Sequence, residues 1–114
     1  MEEGMKHDNE KIRAALVLGD FSRSLTKVCE VGAFGAAKYA EGDWIRVNKG
    51  IERYTDAMLR HWLLEQHEEL DSESNFLHAA HCAWNALARL DLILREVEQP
   101  SGNSVNKPRP IRSF

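Results

Sequence analysis

The sequence has little of what marks a secreted, a membrane-spanning or a nucleic-acid-binding protein. Only two of its 114 residues are cysteine, and no apolar run approaches the ~20 residues that a transmembrane helix needs. Cys29 and Cys82 each lie in an apolar helical pattern, so we expect two reduced, buried thiols and no disulfide framework. The net charge of −3 lacks the basic excess that is usual in proteins that bind DNA or RNA. We therefore expect a cytoplasmic protein that binds neither nucleic acid nor membrane.

Helical periodicity predicts an all-α bundle of three principal helices, at about 21–39, 51–69 and 75–97, with a short N-terminal element before them. No segment alternates over enough residues to indicate a sheet. The chain length suits one domain, which we place at 1–98, followed by a tail at 99–114 that begins beside Pro100 and contains all three prolines. Three helices of this size leave apolar surface exposed, so we expect a homo-oligomer to complete the bundle.

The first two predicted helices are joined by a loop that should be fixed to the body of the protein by Trp44. Gly32 and Gly35 lie inside the first helix, where each costs roughly 1 kcal/mol relative to alanine, and this favours close packing against them. In the second helix, Trp62 falls on the predicted core side, together with Ile51 and Met58. A neighbouring stripe about 60° wide should be partly buried, and its members are Tyr54, His61, Glu65 and Glu68.

The third predicted helix is apolar around most of its circumference, so we expect it to be central. Its polar exceptions, His78, His81 and Asn85, share one stripe and need hydrogen-bond partners or a metal. Asp71 or Ser72 suits the N-cap of this helix. The stripe therefore predicts either a polar network between helices or a functional site.

Residues 60–85 hold four of the five histidines and a dense group of carboxylates. Glu65, Glu68 and Asp71 are spaced three apart and repel one another unless a cation lies between them. Hard oxygen ligands of this kind suit Mg²⁺ or Mn²⁺, which also bind phosphates. The alternative is an ordinary solvated helix end. Lys11, Lys38 and Arg60 are candidates for contacts with phosphate groups.

Several short motifs together resemble a known family. They are Lys11, Val31-x-x-Phe34-Gly35-Ala36-x-Lys38-Tyr39, Trp44, Ala57-x-x-Arg60-His61 and Glu68-x-x-Asp71-x-Glu73-Ser74-x-x-x-His78-x-x-His81. Over about 6–94 the chain is similar to the phage dATP/dGTP diphosphohydrolase family (N-terminal domain), which is related to the MazG-like nucleotide pyrophosphohydrolases. The resemblance implies a Mg²⁺- or Mn²⁺-dependent enzyme that cleaves a purine deoxynucleoside triphosphate to the monophosphate and pyrophosphate. Such an enzyme would control the nucleotide pool in the cytoplasm of a phage host.

The resemblance, together with the carboxylate spacing and the polar stripes, also predicts roles for individual residues. The expected catalytic residues are Glu68, His61 and His78. The expected substrate-binding residues are Lys11, Lys38, Arg60 and Asn85. The expected metal ligands are Glu65, Glu68, Asp71, Glu73 and His81.

Two observations bear on other interpretations of the function. MazG-like enzymes carry their Glu-x-x-Glu and Glu-x-x-Asp pairs on two separate helices, whereas both acidic pairs lie in one short stretch here. A histidine/aspartate phosphohydrolase would need a His-Asp doublet within the site, but His7-Asp8 lies in the polar N-terminal segment. The non-enzymatic alternative is a small helical phage protein that binds a partner, with the histidines and carboxylates forming only a buried network.

Overall fold

The computed structural model describes residues 11–99, and these residues form four α-helices and a short 3₁₀ helix. The helices are α1 Ala14–Asp20, α2 Ser22–Lys38, α3 Gly50–Glu65 and α4 His78–Glu98, and the 3₁₀ helix is Asp43–Arg46. The only β-type pairing in this part of the chain is an isolated antiparallel bridge between Leu70 and Leu77. The predicted all-α architecture is confirmed. The polar start of the chain and the predicted tail, from Pro100 onward, lie outside the described residues.

Helix α4 is central, as predicted, because it packs against both α2 and α3. Small residues allow this close approach, and Ala80 and Ala88 are among its buried positions. The helix begins at His78, three residues later than predicted, and its N-cap is Leu77 without any side-chain hydrogen bond. The predicted N-cap at Asp71 or Ser72 is therefore wrong. The carboxylate of Asp71 instead accepts hydrogen bonds within the connection that precedes α4.

Helix α3 ends at Glu65, four residues before the predicted end. Glu68 therefore lies in the connection between α3 and α4. The prediction of a partly buried stripe is confirmed for Tyr54 and His61 and wrong for Glu65 and Glu68, which are exposed. Trp62 was predicted to lie on the core side but is 53% exposed, so this prediction is wrong.

Contacts between aromatic rings and a glycine join α2, α4 and the loop between α2 and α3. A Cβ atom added to Gly32 would lie 3.0 Å from Nε1 of Trp84, so this glycine allows α2 and α4 to approach closely. A Cβ atom added to Gly35 would meet no atom of a neighbouring element within 4 Å. The hydroxyl of Tyr54 donates a hydrogen bond to the carbonyl oxygen of Trp44 (2.8 Å), and the Trp44 ring contacts that of Trp84 edge-on. The prediction that Trp44 fixes this loop is confirmed.

The core of the described residues is thin, and a large apolar surface is left exposed. Within 11–99, only Val31, Ala80 and Ala88 are buried hydrophobic residues. Five large apolar side chains on α3 and α4 are about half exposed: Leu59, Trp62, Leu63, Leu87 and Leu90. No described helix is both long enough and apolar enough to cross a membrane.

Both cysteines are free thiols, but only one is shielded from solvent. Cys29 is exposed, so the prediction that it is buried is wrong. Cys82 is half-buried, and its Sγ–H donates to the carbonyl oxygen of Met58 (3.2 Å). Burial and the nearby Glu65 carboxylate raise the pKa of Cys82, which keeps this thiol protonated at neutral pH.

Candidate active site

The connection between α3 and α4 folds back on itself and carries Asp71 to the first turn of α4. Main-chain hydrogen bonds close it at several points, from Asp71 N to Phe76 O (2.7 Å) and from His78 N to Glu69 O (2.9 Å). Asn75 takes a left-handed conformation (φ 66°), which asparagine tolerates better than most residues. These contacts fix the position of the connection relative to α4.

Three histidines meet where α3 and α4 face each other. Nδ1 of His61 lies 2.9 Å from Nδ1 of His78, so one ring donates to the other. The rings of His61 and His81 are stacked, with centroids 4.4 Å apart and an interplanar angle of 7°. His78 is fully buried, and its Nε2 has no hydrogen-bond partner among the described residues. A buried polar atom without a partner is costly in a structural network, and it points to a ligand.

Ser74 links Asp71 to His81 and sets the tautomer of that histidine. The Asp71 carboxylate accepts hydrogen bonds from Ser74 N–H (2.8 Å) and Ser74 Oγ–H (2.9 Å). The hydroxyl has only one proton, so His81 Nε2, 2.7 Å from Ser74 Oγ, must itself donate. His81 is therefore protonated on Nε2, and its Nδ1 keeps a lone pair.

The environment keeps the imidazoles of His61 and His81 neutral and the carboxylate of Asp71 charged. Burial, with a contribution from the neighbouring His81, lowers the pKa of His61 from 6.5 to about 4. Burial also lowers the pKa of His81. Burial alone would raise the pKa of Asp71, but the two hydrogen bonds from Ser74 and the nearby histidines outweigh it and lower that pKa. At neutral pH the cluster therefore offers nitrogen lone pairs and a carboxylate, the forms in which these groups bind metals.

Three of these residues are placed to share a metal ion. One ligand atom from each of His61, Asp71 and His78 lies within 4.8 Å of the other two. Glu68 adjoins this group, with its Oε1 3.5 Å from His78 Nε2, and its side chain is about half exposed. His81 Nε2 lies 3.8 Å from Asp71 Oδ2. The predicted catalytic residues thus come together, and two of the predicted metal ligands lie beside them.

The other predicted carboxylate ligands, Glu65 and Glu73, do not belong to the group of ligand atoms that lie within 4.8 Å of one another, although Glu73 lines the groove beside His81. Glu65 is exposed at the last residue of α3, close to Cys82. Glu73 projects from the connection and forms an ion pair with Lys38 at the end of α2. This ion pair joins two elements that are 35 residues apart in sequence.

A groove of about 780 Å³ opens beside the cluster, between α2, α3, α4 and the loop that contains the 3₁₀ helix. His61 and His81 form part of its lining, so the cluster is open to the groove. Three of the predicted substrate-binding residues also line it: Lys38, Arg60 and Asn85. Lys11 is exposed and is not part of the lining. The volume lies within the range that is usual for small-molecule sites.

A comparison with models of protein families places this chain in a family. Residues 1–101 match the family described as dATP/dGTP diphosphohydrolase, N-terminal. The chain belongs to this family. The resemblance inferred from the short motifs is confirmed. No curated protein and no solved structure matches the chain.

Membership of the dATP/dGTP diphosphohydrolase family gives the groove a substrate class to be tested, namely purine deoxynucleotides.

Sequence reasoning placed the histidines and Asp71 correctly near one another but missed the link through Ser74. A signal was present, because Ser74 follows Asp71 by three residues, a spacing at which aspartate accepts hydrogen bonds from a turn. The stacking of His61 on His81 has no comparable signal, because it depends on how α3 and α4 face each other.

Proposed function

We propose that this protein hydrolyses purine deoxynucleoside triphosphates (dGTP or dATP) to the monophosphate and pyrophosphate, with the help of a divalent metal ion. The observation that carries the proposal is that a nucleotide-sized groove is lined by His61, one of three residues whose ligand atoms lie within 4.8 Å of one another, in a chain of the dATP/dGTP diphosphohydrolase family.

The residues of the cluster suit a metal ion. Ligand atoms about 2.1 Å from an ion are at most about 4.2 Å apart, so the observed 4.8 Å needs a movement of only about half an ångström. Two imidazoles and one carboxylate favour Mn²⁺ over Mg²⁺, because Mg²⁺ prefers oxygen ligands alone. A bound ion would supply Lewis acidity and an activated water. His61, Asp71 and His78 would hold it.

The neighbouring charged residues would bind the triphosphate and handle the proton. Arg60 and Lys38 line the groove, and each can neutralise a phosphate oxygen. Lys38 is paired with Glu73, but both side chains are substantially exposed, so an incoming phosphate can replace this carboxylate at low cost. When water bonds to phosphorus and pyrophosphate leaves with the electron pair of the broken P–O bond, the water loses a proton. Glu68, whose Oε1 lies 3.5 Å from His78 Nε2, would accept it.

Activity is tested by incubating the protein with each deoxynucleoside triphosphate and Mn²⁺ or Mg²⁺, then separating the products. We expect monophosphate and pyrophosphate from dGTP or dATP. Glu68→Gln should abolish turnover without lowering the melting temperature. Glu69→Gln changes an exposed neighbour and serves as the matched control. Release of inorganic triphosphate would establish a different reaction, and no hydrolysis of any nucleotide would favour the partner-binding alternative.

Metal binding is tested separately by thermal unfolding with Mn²⁺ and with a chelator. An ion at 100 times its Kd stabilises the folded state by about 2.7 kcal/mol. We expect such a shift for the native protein and none for Asp71→Asn, which preserves the shape of the side chain but removes its charge. Equal shifts in both proteins would show that the ion binds elsewhere.

We also infer that a second copy of the chain covers the exposed apolar surface of α3 and α4. Five large apolar side chains of these helices are about half exposed, namely Leu59, Trp62, Leu63, Leu87 and Leu90. Exposed apolar side chains in such number are typical of subunit interfaces. Sedimentation should show a dimer or larger oligomer that Trp62→Lys dissociates. A monomeric native protein would contradict this inference.

A further inference from the structure

One aromatic ring in the groove takes little part in the packing of the protein. Tyr39 is the residue that caps the C-terminal end of α2; it lines the groove and is 71% exposed. The other aromatic rings of the wall are half-buried and packed edge-to-face: Trp44 and Tyr54 each contact Trp84, and Phe34 contacts Phe76. An exposed ring beside a set of packed rings leaves a flat apolar surface for a planar ligand.

A cation adjoins this ring. Nζ of Lys38 lies 5.0 Å from the centre of the Tyr39 ring. The Lys38 ammonium also binds Glu73, and that contact, together with the Tyr39 hydroxyl, raises the pKa of Lys38. A nucleotide places a planar base and an anionic phosphate at a similar short separation. The pair therefore matches the two chemically different parts of a nucleotide.

The side of the groove formed by α4 carries a polar group that is free to accept a hydrogen bond. Asn85 is only 6% exposed and lines the groove. Its Nδ2 donates to the carbonyl oxygen of His81 (2.8 Å), which fixes the orientation of the amide. No described residue donates to its Oδ1. A base amino group or a sugar hydroxyl can supply that missing donor.

We propose that the groove contains a nucleoside subsite in which the base stacks on Tyr39 and a donor of the nucleoside bonds to Asn85 Oδ1. This subsite deepens the proposed function and rests on it for the position of the phosphates. It assigns recognition of the nucleoside to Tyr39 and Asn85 and the reaction to the histidine cluster. Tyr39 acts by binding substrate, with no part in the proton transfer.

The test measures binding of dGMP and of deoxyribose 5-phosphate, which has no base, by calorimetry. Tyr39→Leu should weaken dGMP binding by roughly 5- to 100-fold, the usual effect of losing a stacked base, and leave deoxyribose 5-phosphate unchanged. Tyr39→Phe keeps the ring and should bind dGMP like the native protein. Phe21→Leu, at an exposed aromatic residue outside the groove, is the matched control.

The outcomes separate the subsite from the proposed reaction. If Tyr39→Leu binds dGMP as tightly as the native protein does, the base does not stack on Tyr39 and the subsite is refuted, whatever the activity. If Tyr39→Leu weakens both ligands equally, the ring acts through the phosphate side and the subsite is also refuted. If dGMP binds with the expected selectivity but no triphosphate is hydrolysed, the subsite stands and the proposed reaction fails.

Discussion

Mild acid should destabilise this protein because His61 is held in its neutral form in the folded state. Its pKa is about 4 when folded and 6.5 when it is unperturbed. The folded state therefore binds fewer protons than the unfolded state between these values. The stability from this group is fully present above pH 6.5 and is lost as the pH falls from 6.5 toward 4.

The magnitude follows from the difference between the two pKa values. At pH 5 the full difference corresponds to about 2 kcal/mol of lost stability, and the partial exposure of the ring reduces our expectation to about 1 kcal/mol. For a domain of this size, 1 kcal/mol moves the melting temperature by about 4–8 °C. The lowered pKa of His81 acts in the same direction. Asp71, whose pKa is lowered from 3.8, loses its contribution only at more acidic pH.

The assay is chemical or thermal unfolding at a series of pH values between 8 and 5, without added metal. His61→Gln removes the titrating group but keeps an amide that can bond to His78, so its stability should vary less over this range. His67→Gln alters an exposed histidine in the connection and should vary as the native protein does. Equal pH dependence in the native protein and His61→Gln, or an imidazole titration by NMR near 6.5 for His61, would refute the reasoning.

Two further predictions concern packing and the tautomer of His81. Gly35→Ala should stabilise the protein by about 0.5–1 kcal/mol through helix propensity, whereas Gly32→Ala should lose that gain because its Cβ would press on Trp84. Denaturant unfolding of the two variants measures the difference, and equal gains in stability would show that the Trp84 side chain moves aside freely. Ser74→Ala should lower stability by about 1–2 kcal/mol, because it removes the hydroxyl that binds Asp71 and His81. The same variant should slow turnover more than it weakens substrate binding, and Ser74→Thr should restore both stability and turnover. An unchanged turnover number in Ser74→Ala would show that the tautomer of His81 does not matter for the reaction.

The helices could be predicted from the sequence because their cause is local. Apolar spacing gave α2 to within a residue at each end, and it gave the central position of α4. The C-terminal end of α3 and the start of α4 were missed. The carboxylates of 65–69 continue a helical pattern, but the main chain of 66–77 forms hydrogen bonds within the connection instead. Asp71 was misassigned for the same reason. A side chain that can cap a helix can equally well bind the turn before it.

The candidate site could be predicted only in part. The histidine stripes on α3 and α4 follow from periodicity, and their meeting at His61 and His78 is observed. The pairing of Glu73 with Lys38, in place of a position among the grouped ligand atoms, could not be derived, because it depends on the path of the connection relative to α2. The exposure of Trp62 was missed because periodicity identifies an apolar face without saying what covers it.

The position of the cluster along the chain has a consequence for how the protein folds. His61, Asp71, Ser74, His78 and His81 all lie within 61–81, so the contacts among them are local. The helical hairpin of α3 and α4 brings them together through short loop closures, which form fast. The groove needs α2 as well, through Lys38 to Glu73 and Gly32 to Trp84, contacts that span 35 and 52 residues. The metal-competent cluster should therefore assemble before the surface that recognises the substrate.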